Sequence, residues 1–128
     1  MKLLLDTHSF LWFISGDPRL SLTARTLIED TRNEAFLSVA SLWEIAIKIS
    51  LGRLQLTQPL EVLIPQQLSL NQIGLLGITI SHVAQVAALP FHHRDPFDRL
   101  LVAQALVDRM ALVSQDPALD AYGLTRFW

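Results

Sequence analysis

Short apolar runs alternate along the chain with longer segments whose apolar residues recur at helical spacing. Four runs predict strands, at 2–5 (KLLL), 35–39 (AFLSV), 75–80 (LLGITI) and 110–114 (MALVS), and 123–128 (GLTRFW) predicts an edge strand. Helices are predicted over 21–33, 41–52, 59–69, 81–89 and 96–109, with one or two turns over 7–15 and a short helix after 116. This alternation is typical of an α/β fold with a mostly parallel central sheet flanked by helices.

Composition fits one compact domain. The chain has 128 residues, of which 51% are hydrophobic and 17% charged, so it is neither disordered nor highly solvated. The absence of cysteine excludes disulfides, zinc–thiolate sites and a cysteine nucleophile, and suits a reducing compartment. No apolar run approaches the ~18 residues of a membrane span. We therefore expect a cytoplasmic protein with no membrane segment.

Acidic residues fall where predicted strands end. Asp6 follows the first strand, Glu44 lies early in the helix after the second, and Asp116 follows the MALVS strand. In open α/β sheets, functional sites form beyond the carboxyl ends of the strands. We expect these three acids at one edge of the sheet. Asp98 joins them if the start of its helix faces the same edge.

Each of these acids also has a purely structural interpretation. Asp6 could cap the helix that follows it, and Asp116 stands before a proline, as an N-cap residue often does. Ser41 and Glu44 fit a capping box, and Glu44 with Lys48 forms an i,i+4 pair. Position alone leaves both interpretations open.

The segment RDPFD, at 94–98, contains two aspartates with different expected roles. Asp95 precedes a proline and fits the N-cap, which places Asp98 at the third helical position. Once Asp95 satisfies the free N–H groups, Asp98 has no structural task, and it lies close to the apolar side of the helix. An acid near a buried face needs a partner, and a metal ion would serve.

The basic residues around this segment have two interpretations each. Arg94 and Arg99 could hold a substrate phosphate or pair with the neighbouring aspartates. His92 and His93 could be ligands or RNA contacts, but the acid set needs no imidazole, so a loop or packing role is favoured.

Converging carboxylates repel one another, so such a site keeps protons or binds cations. Ligands that are all oxygen suit Mg²⁺ or Mn²⁺, which activate water and stabilise the leaving oxygen of a phosphodiester. The net charge of −2 argues against passive binding of nucleic acid to a basic surface. Removing the four acids from that count leaves +2, which tolerates nucleic acid.

Four segments carry a resemblance that covers essentially the whole chain. LLLDTHSFLW, SVASLWEIAIKISLGRL, HHRDPFDRLLVAQA and ALVSQD resemble, in order, the motifs of PIN domains, and most nearly those of bacterial VapC-type toxins. The resemblance implies a single PIN domain over 1–128. It also implies a metal-dependent endoribonuclease whose catalytic and metal-binding acids are Asp6, Glu44, Asp98 and Asp116.

The resemblance implies further residues and partners. Thr7 and Ser114 match hydroxyl positions that orient carboxylates or water. Asp95 is additional to the family's four acids; it occurs in one subgroup with the HRDPFDR string and is a candidate to reach the metal through water. The expected partners are an RNA substrate, an antitoxin whose tail covers the acidic site, and a second copy in a homodimer.

Other functional classes fit the sequence less well. A receiver domain would show two adjacent early acids and a lysine after a late strand, and both are absent. A phosphatase with an aspartate nucleophile would have a second acid two residues after Asp6, where His8 stands instead. A catalytically silent interaction or RNA-binding domain stays open as the alternative, in which the acids are only caps and bind no ion.

Overall fold

The computed structural model describes residues 1–128, which form a five-stranded sheet between two layers of helices. The strands are β1 (Lys2–Leu5), β2 (Glu34–Ser38), β3 (Gly74–Leu76), β4 (Ala111–Val113) and β5 (Arg126–Phe127). The helices are α1 (Thr7–Ser15), α2 (Leu22–Glu29), α3 (Val39–Ser50), α4 (Leu60–Leu70), α5 (Ile80–Ala88) and α6 (Pro96–Asp108), followed by a 3₁₀ helix (Pro117–Tyr122). The predicted α/β class is confirmed, and every strand pairing is parallel.

The central strand β1 is buried on both faces, which explains why its sequence is continuously apolar. Leu3 and Leu5 pack into one hydrophobic cluster with Phe10 of α1. Leu4 points to the opposite face and packs with Leu101 of α6. Alternate side chains of a strand point to opposite faces, so a strand covered by helices on both sides has no polar position to spare.

The strand order β3-β2-β1-β4-β5 places a reversal between β1 and β4. The chain moves outward from β1 through β2 to β3, then returns to lay β4 on the other side of β1. Connections at such a point diverge to opposite faces and leave a crevice at the carboxyl ends of the strands. Asp6 follows β1 and Ser114 follows β4, so the fold itself brings these two segments to one crevice.

Two helices begin at residues other than those predicted. Ser38 ends β2 and caps α3 by accepting a hydrogen bond from the Ala40 N–H at 3.1 Å, so the helix starts at Val39. Ser41 then lies inside the helix, and the predicted capping box of Ser41 with Glu44 is wrong. The error arose because a strand that runs directly into a helix leaves no loop to mark the boundary.

The start of α5 also differs from the predicted residue 81, since Thr79 is the cap and the helix begins at Ile80. Thr79 Oγ1 accepts from the His82 N–H at 3.2 Å, and His82 Nδ1 accepts from the Thr79 N–H at 3.0 Å. A histidine thus takes the place of the glutamate or glutamine usual in a capping box. No helix of the protein combines the length and the apolar character that a bilayer crossing requires.

Candidate active site

The four predicted acids line one cavity of about 510 Å³ at the carboxyl ends of the strands. The same cavity is lined by the three residues predicted to support them, Thr7, Asp95 and Ser114. Two larger cavities, of about 720 Å³ and 630 Å³, contain only one acidic residue each. Chemistry therefore singles out the acidic cavity, although it is not the largest.

Asp6 is both a helix cap and a cavity residue. Its Oδ1 accepts a hydrogen bond from the Ser9 N–H at 2.8 Å, which caps α1. The Asp6 N–H and the Ser9 hydroxyl both donate to the carbonyl of Val113, each at 3.1 Å. These bonds tie the end of β1 to the end of β4. One oxygen of Asp6 is engaged as a cap, and its Oδ2 accepts no hydrogen bond from the protein.

Glu44 projects from α3 and is held by two groups. The Thr7 hydroxyl donates to Glu44 Oε1 at 2.6 Å, and Lys48 Nζ lies 3.0 Å from Oε2. Ser41 Oγ lies 3.0 Å from Thr7 Oγ1. Because Thr7 has one hydroxyl proton and gives it to the carboxylate, Ser41 donates to Thr7. Ser41, with no capping task, thus holds Thr7 in the orientation that restrains Glu44.

Asp95 and Asp98 have the division of tasks that the sequence indicated. Asp95 Oδ1 accepts from the N–H groups of Phe97 and Asp98, at 2.8 Å and 3.0 Å, and so caps α6. Asp98 makes no comparable structural bond, and its side chain is 28% exposed. Burial, then the charges of Asp95 and Asp6, raise the pKa of the Asp98 carboxyl to about 7. A group so placed is ready to exchange its proton for a cation.

Asp116 uses its two oxygens for different purposes. Oδ1 accepts from the Ala118 N–H at 3.0 Å and caps the 3₁₀ helix. Oδ2 lies 2.9 Å from His93 Nε2. The hydroxyl of Ser114, which is buried, accepts from the Asp116 N–H at 3.2 Å and fixes the backbone there.

His93 lies within this site, although the sequence favoured a packing role for it. Its Nε2 is 2.9 Å from Asp116 and 3.6 Å from Asp98. His92 points elsewhere, with its ring edge-on to Tyr122 at a centroid distance of 5.0 Å. Sequence offered one weak signal, since His93 stands two residues before the capping Asp95. Only the path of the loop decides which of the two rings faces the acids.

The prediction that Arg99 holds a substrate phosphate is wrong in this structure. Its side chain is only 6% exposed, and the guanidinium lies 4.1 Å from the centre of the Phe91 ring. It donates to the carbonyls of three residues and to one hydroxyl, those of Pro90, Val86, Leu89 and Tyr122. It forms an ion pair with neither neighbouring aspartate. Arg94, in contrast, is exposed, and it is the chain neighbour of Asp95, which lines the cavity.

The donor set fits a hard divalent cation. One carboxylate oxygen each of Asp98 and Asp116 lie within 4.8 Å of each other. Against the four acids stand Lys48, which pairs with Glu44, and His93. Burial of Asp98, together with the charges of Asp95, Asp6 and Glu44, raises the pKa of its carboxyl. Oxygen ligands without thiols are the set that Mg²⁺ and Mn²⁺ prefer.

Comparison with known proteins agrees with this geometry. A model of the PIN domain family matches residues 3–124. Ribonuclease VapC22 from Mycobacterium tuberculosis is 34% identical over 120 residues, which are 93% of this chain and 90% of that protein. Ribonuclease VapC16 from the same organism is 35% identical over 71 residues, covering 52% of this chain and 50% of that protein.

Solved structures share the fold at low sequence identity. VapBC2 from Rickettsia felis, bound to a DNA fragment from the promoter, superposes with a TM-score of 0.73 at 14% identity, covering 99% of this chain and 98% of that chain. FitAcB from Neisseria gonorrhoeae gives a TM-score of 0.64 at 17% identity, covering 98% and 96%. The matches in sequence and fold agree over nearly the whole chain, and this protein belongs to the PIN domain family.

Proposed function

We propose that residues 1–128 form one PIN domain that acts as a metal-dependent endoribonuclease, the toxin of a toxin–antitoxin pair. The observation that carries the proposal is the convergence of four carboxylates on one cavity at the reversal of strand order. RNA is the proposed substrate because both relatives in sequence bear the name ribonuclease.

The residues of the site are of two kinds: carboxylates that would bind the metal ion, and residues that fix those carboxylates in place. The carboxylates of Asp6, Glu44, Asp98 and Asp116 would hold Mg²⁺ or Mn²⁺. A bound ion supplies positive charge that neutralises a phosphodiester and lowers the pKa of water. Thr7 fixes Glu44 by its 2.6 Å hydrogen bond, and Ser114 fixes the backbone of Asp116. Such supports keep the carboxylates converged against their repulsion.

Arg94 is the proposed contact for the RNA backbone. It is exposed, stands next to the capping Asp95, and forms no ion pair within the protein. A free guanidinium can bind a phosphate in a bidentate manner without first losing a partner. Asp95, on the same rim, acts on the site through its charge, which contributes to the raised pKa of Asp98.

An antitoxin is the proposed protein partner. Solved structures that share the fold include those named VapBC2 and FitAB, each bound to a DNA fragment. The cavity of about 630 Å³ shares His8, Trp12 and Lys48 with the acidic cavity, so an extended tail has room to lie across both. We also propose that the protein forms a homodimer, which analytical ultracentrifugation would measure. We further propose a cytoplasmic location.

Cleavage of RNA by the purified protein tests the proposal. We expect cleavage with Mg²⁺ or Mn²⁺, none with EDTA, and a loss of at least about a hundredfold in Asp6→Asn. Asp30→Asn is the matched control, since Asp30 precedes β2 at the opposite edge of the sheet. Cleavage that persists in EDTA, or equal activity of the two variants, contradicts the proposal.

The silent interaction domain is separated from the nuclease by calorimetry with Mn²⁺. Two of the four acids, Asp6 and Asp116, cap helices, as does the neighbouring Asp95, and this observation keeps the alternative in view. A domain whose acids are only caps releases no heat with Mn²⁺ and cleaves no RNA. A protein that binds Mn²⁺ and still leaves several RNA classes intact supports a binding function at the same site.

A further inference from the structure

His93 receives a hydrogen bond at one ring nitrogen, and this determines the chemistry of the other. Its Nδ1 accepts from the Asp95 N–H at 3.1 Å. Its own backbone N–H donates to the Tyr122 hydroxyl at 3.0 Å, which fixes the loop. A ring nitrogen that accepts a hydrogen bond carries no proton, so the proton of the neutral imidazole resides on Nε2.

The protonated nitrogen faces two of the four acids. His93 Nε2 lies 2.9 Å from Asp116 Oδ2 and 3.6 Å from Asp98 Oδ2. An N–H at this position donates to Asp116 and reaches toward Asp98. The same nitrogen has no lone pair to offer a cation, although its distances to the carboxylates would suit a ligand cluster. The distances alone would suit a metal ligand, whereas the tautomer makes Nε2 a hydrogen-bond donor. We take the tautomer as decisive, because a protonated nitrogen cannot coordinate a cation.

We propose that His93 is a positioning residue that aims the Asp116 carboxylate at Asp98, and that it is not itself a metal ligand. Asp116 comes from the segment after β4 and Asp98 from the start of α6, so nothing in the chain's local structure sets their separation. The His93 bond supplies that restraint, as a hydrogen-bonded support does for metal-binding carboxylates. This inference rests on the metal site of the proposed function.

Nitrogen NMR of the metal-free protein tests the tautomer first. Ring ¹⁵N shifts of His93 are expected to show a protonated Nε2 and an unprotonated Nδ1, with His92→Ala leaving them unchanged. A proton on Nδ1 overturns the proposal. This readout needs no bound metal, so it remains decisive even if the protein binds no Mn²⁺ and the proposed function fails.

Pulsed electron paramagnetic resonance with Mn²⁺ tests the role. We expect no nitrogen bonded directly to Mn²⁺, an affinity about tenfold weaker in His93→Ala, and recovery in His93→Gln, whose amide N–H replaces the donor. His92→Ala is the control and is expected to bind Mn²⁺ like the unaltered protein. A directly bonded nitrogen that disappears in His93→Ala, or an unchanged affinity in that variant, overturns the proposal.

Discussion

At the scale of single residues, helix capping and the proposed metal site would use different oxygens of the same carboxylate. Asp6 and Asp116 each engage Oδ1 with a backbone N–H, at 2.8 Å and 3.0 Å. The cap fixes one oxygen of each side chain and leaves the second oxygen facing the cavity, and at Asp116 that second oxygen lies 2.9 Å from His93 Nε2. The structural and functional interpretations of these residues are therefore compatible, and an N-cap beside a cleft is no argument against a ligand.

Asp98 carries the predicted dependence on pH. The pKa of its carboxyl is raised to about 7, so the folded state holds this proton more tightly than the unfolded chain does. Its contribution to the free energy of unfolding is fully present below about pH 4 and is lost as pH rises to about 7. Above that range the metal-free protein contains a partly buried, uncompensated charge.

We therefore expect Asp98→Asn to melt higher than the unaltered protein at pH 8 in EDTA, by about 5 °C, or roughly 1–2 kcal/mol. Mn²⁺ is expected to raise the melting temperature of the unaltered protein but not that of Asp98→Asn. Calorimetric melts from pH 5 to 8 measure both effects. Asp30→Asn is the control, because the pKa of Asp30 is lowered to about 2, outside this range. Parallel pH profiles for all three proteins contradict the assignment.

At the scale of elements, the buried side chain of Arg99 holds the loop between α5 and α6 by hydrogen bonds to its backbone. Its guanidinium donates to the carbonyls of Val86 and Leu89 at the end of α5 and to that of Pro90 in the loop. The loop held in this way also carries His93 and Asp95. A buried arginine thus positions the acidic site without touching it.

Arg99→Ala is expected to lower the free energy of unfolding by about 2–4 kcal/mol, because it leaves three carbonyls without this donor, and the bond to that of Leu89 is buried. Arg99→Lys is expected to recover little of this stability, since an ammonium group lacks the planar, multiply donating geometry of a guanidinium. Arg94→Ala is the matched variant and is expected to keep its stability while raising KM for RNA. Denaturant melts together with RNA cleavage kinetics separate the two. Equal stability of the two alanine variants speaks against this account of Arg99.

At the scale of the whole molecule, charge is unevenly divided between the cavity and the rest of the surface. The net charge is −2, and removing the four carboxylates leaves +2 elsewhere. Without metal, the cavity repels the phosphates that it is proposed to cleave. Binding of cations and binding of RNA are therefore expected to reinforce each other.

The double variant Asp6→Asn with Asp116→Asn is expected to bind an RNA oligonucleotide about tenfold more tightly than the unaltered protein, at low salt in EDTA. Fluorescence anisotropy measures the affinity. The matched control, Asp30→Asn with Glu61→Gln, removes the same charge from residues that do not line the cavity, and its affinity for RNA is expected to rise less. Equal increases in RNA affinity for the two double variants would show that binding depends on net charge and not on the location of the acids.

The sequence by itself determined the architecture and predicted the four acids that line the cavity. Continuous apolar runs such as KLLL specify buried parallel strands, and acids directly after them lie at one edge of any such sheet. Caps are also local signals, so Asp95 could be assigned from its position before a proline. The family followed from four short motifs in order.

Tertiary structure alone decided which basic residues belong to the site. Arg94 and Arg99 look equivalent in sequence, as do His92 and His93, because neighbouring side chains share one local pattern. Packing of α5 against α6 draws the guanidinium of Arg99 under the loop, and the turn at Asp95 directs one imidazole to Asp116. Local sequence specifies which atoms a segment offers, whereas the contacts between distant segments specify where those atoms point.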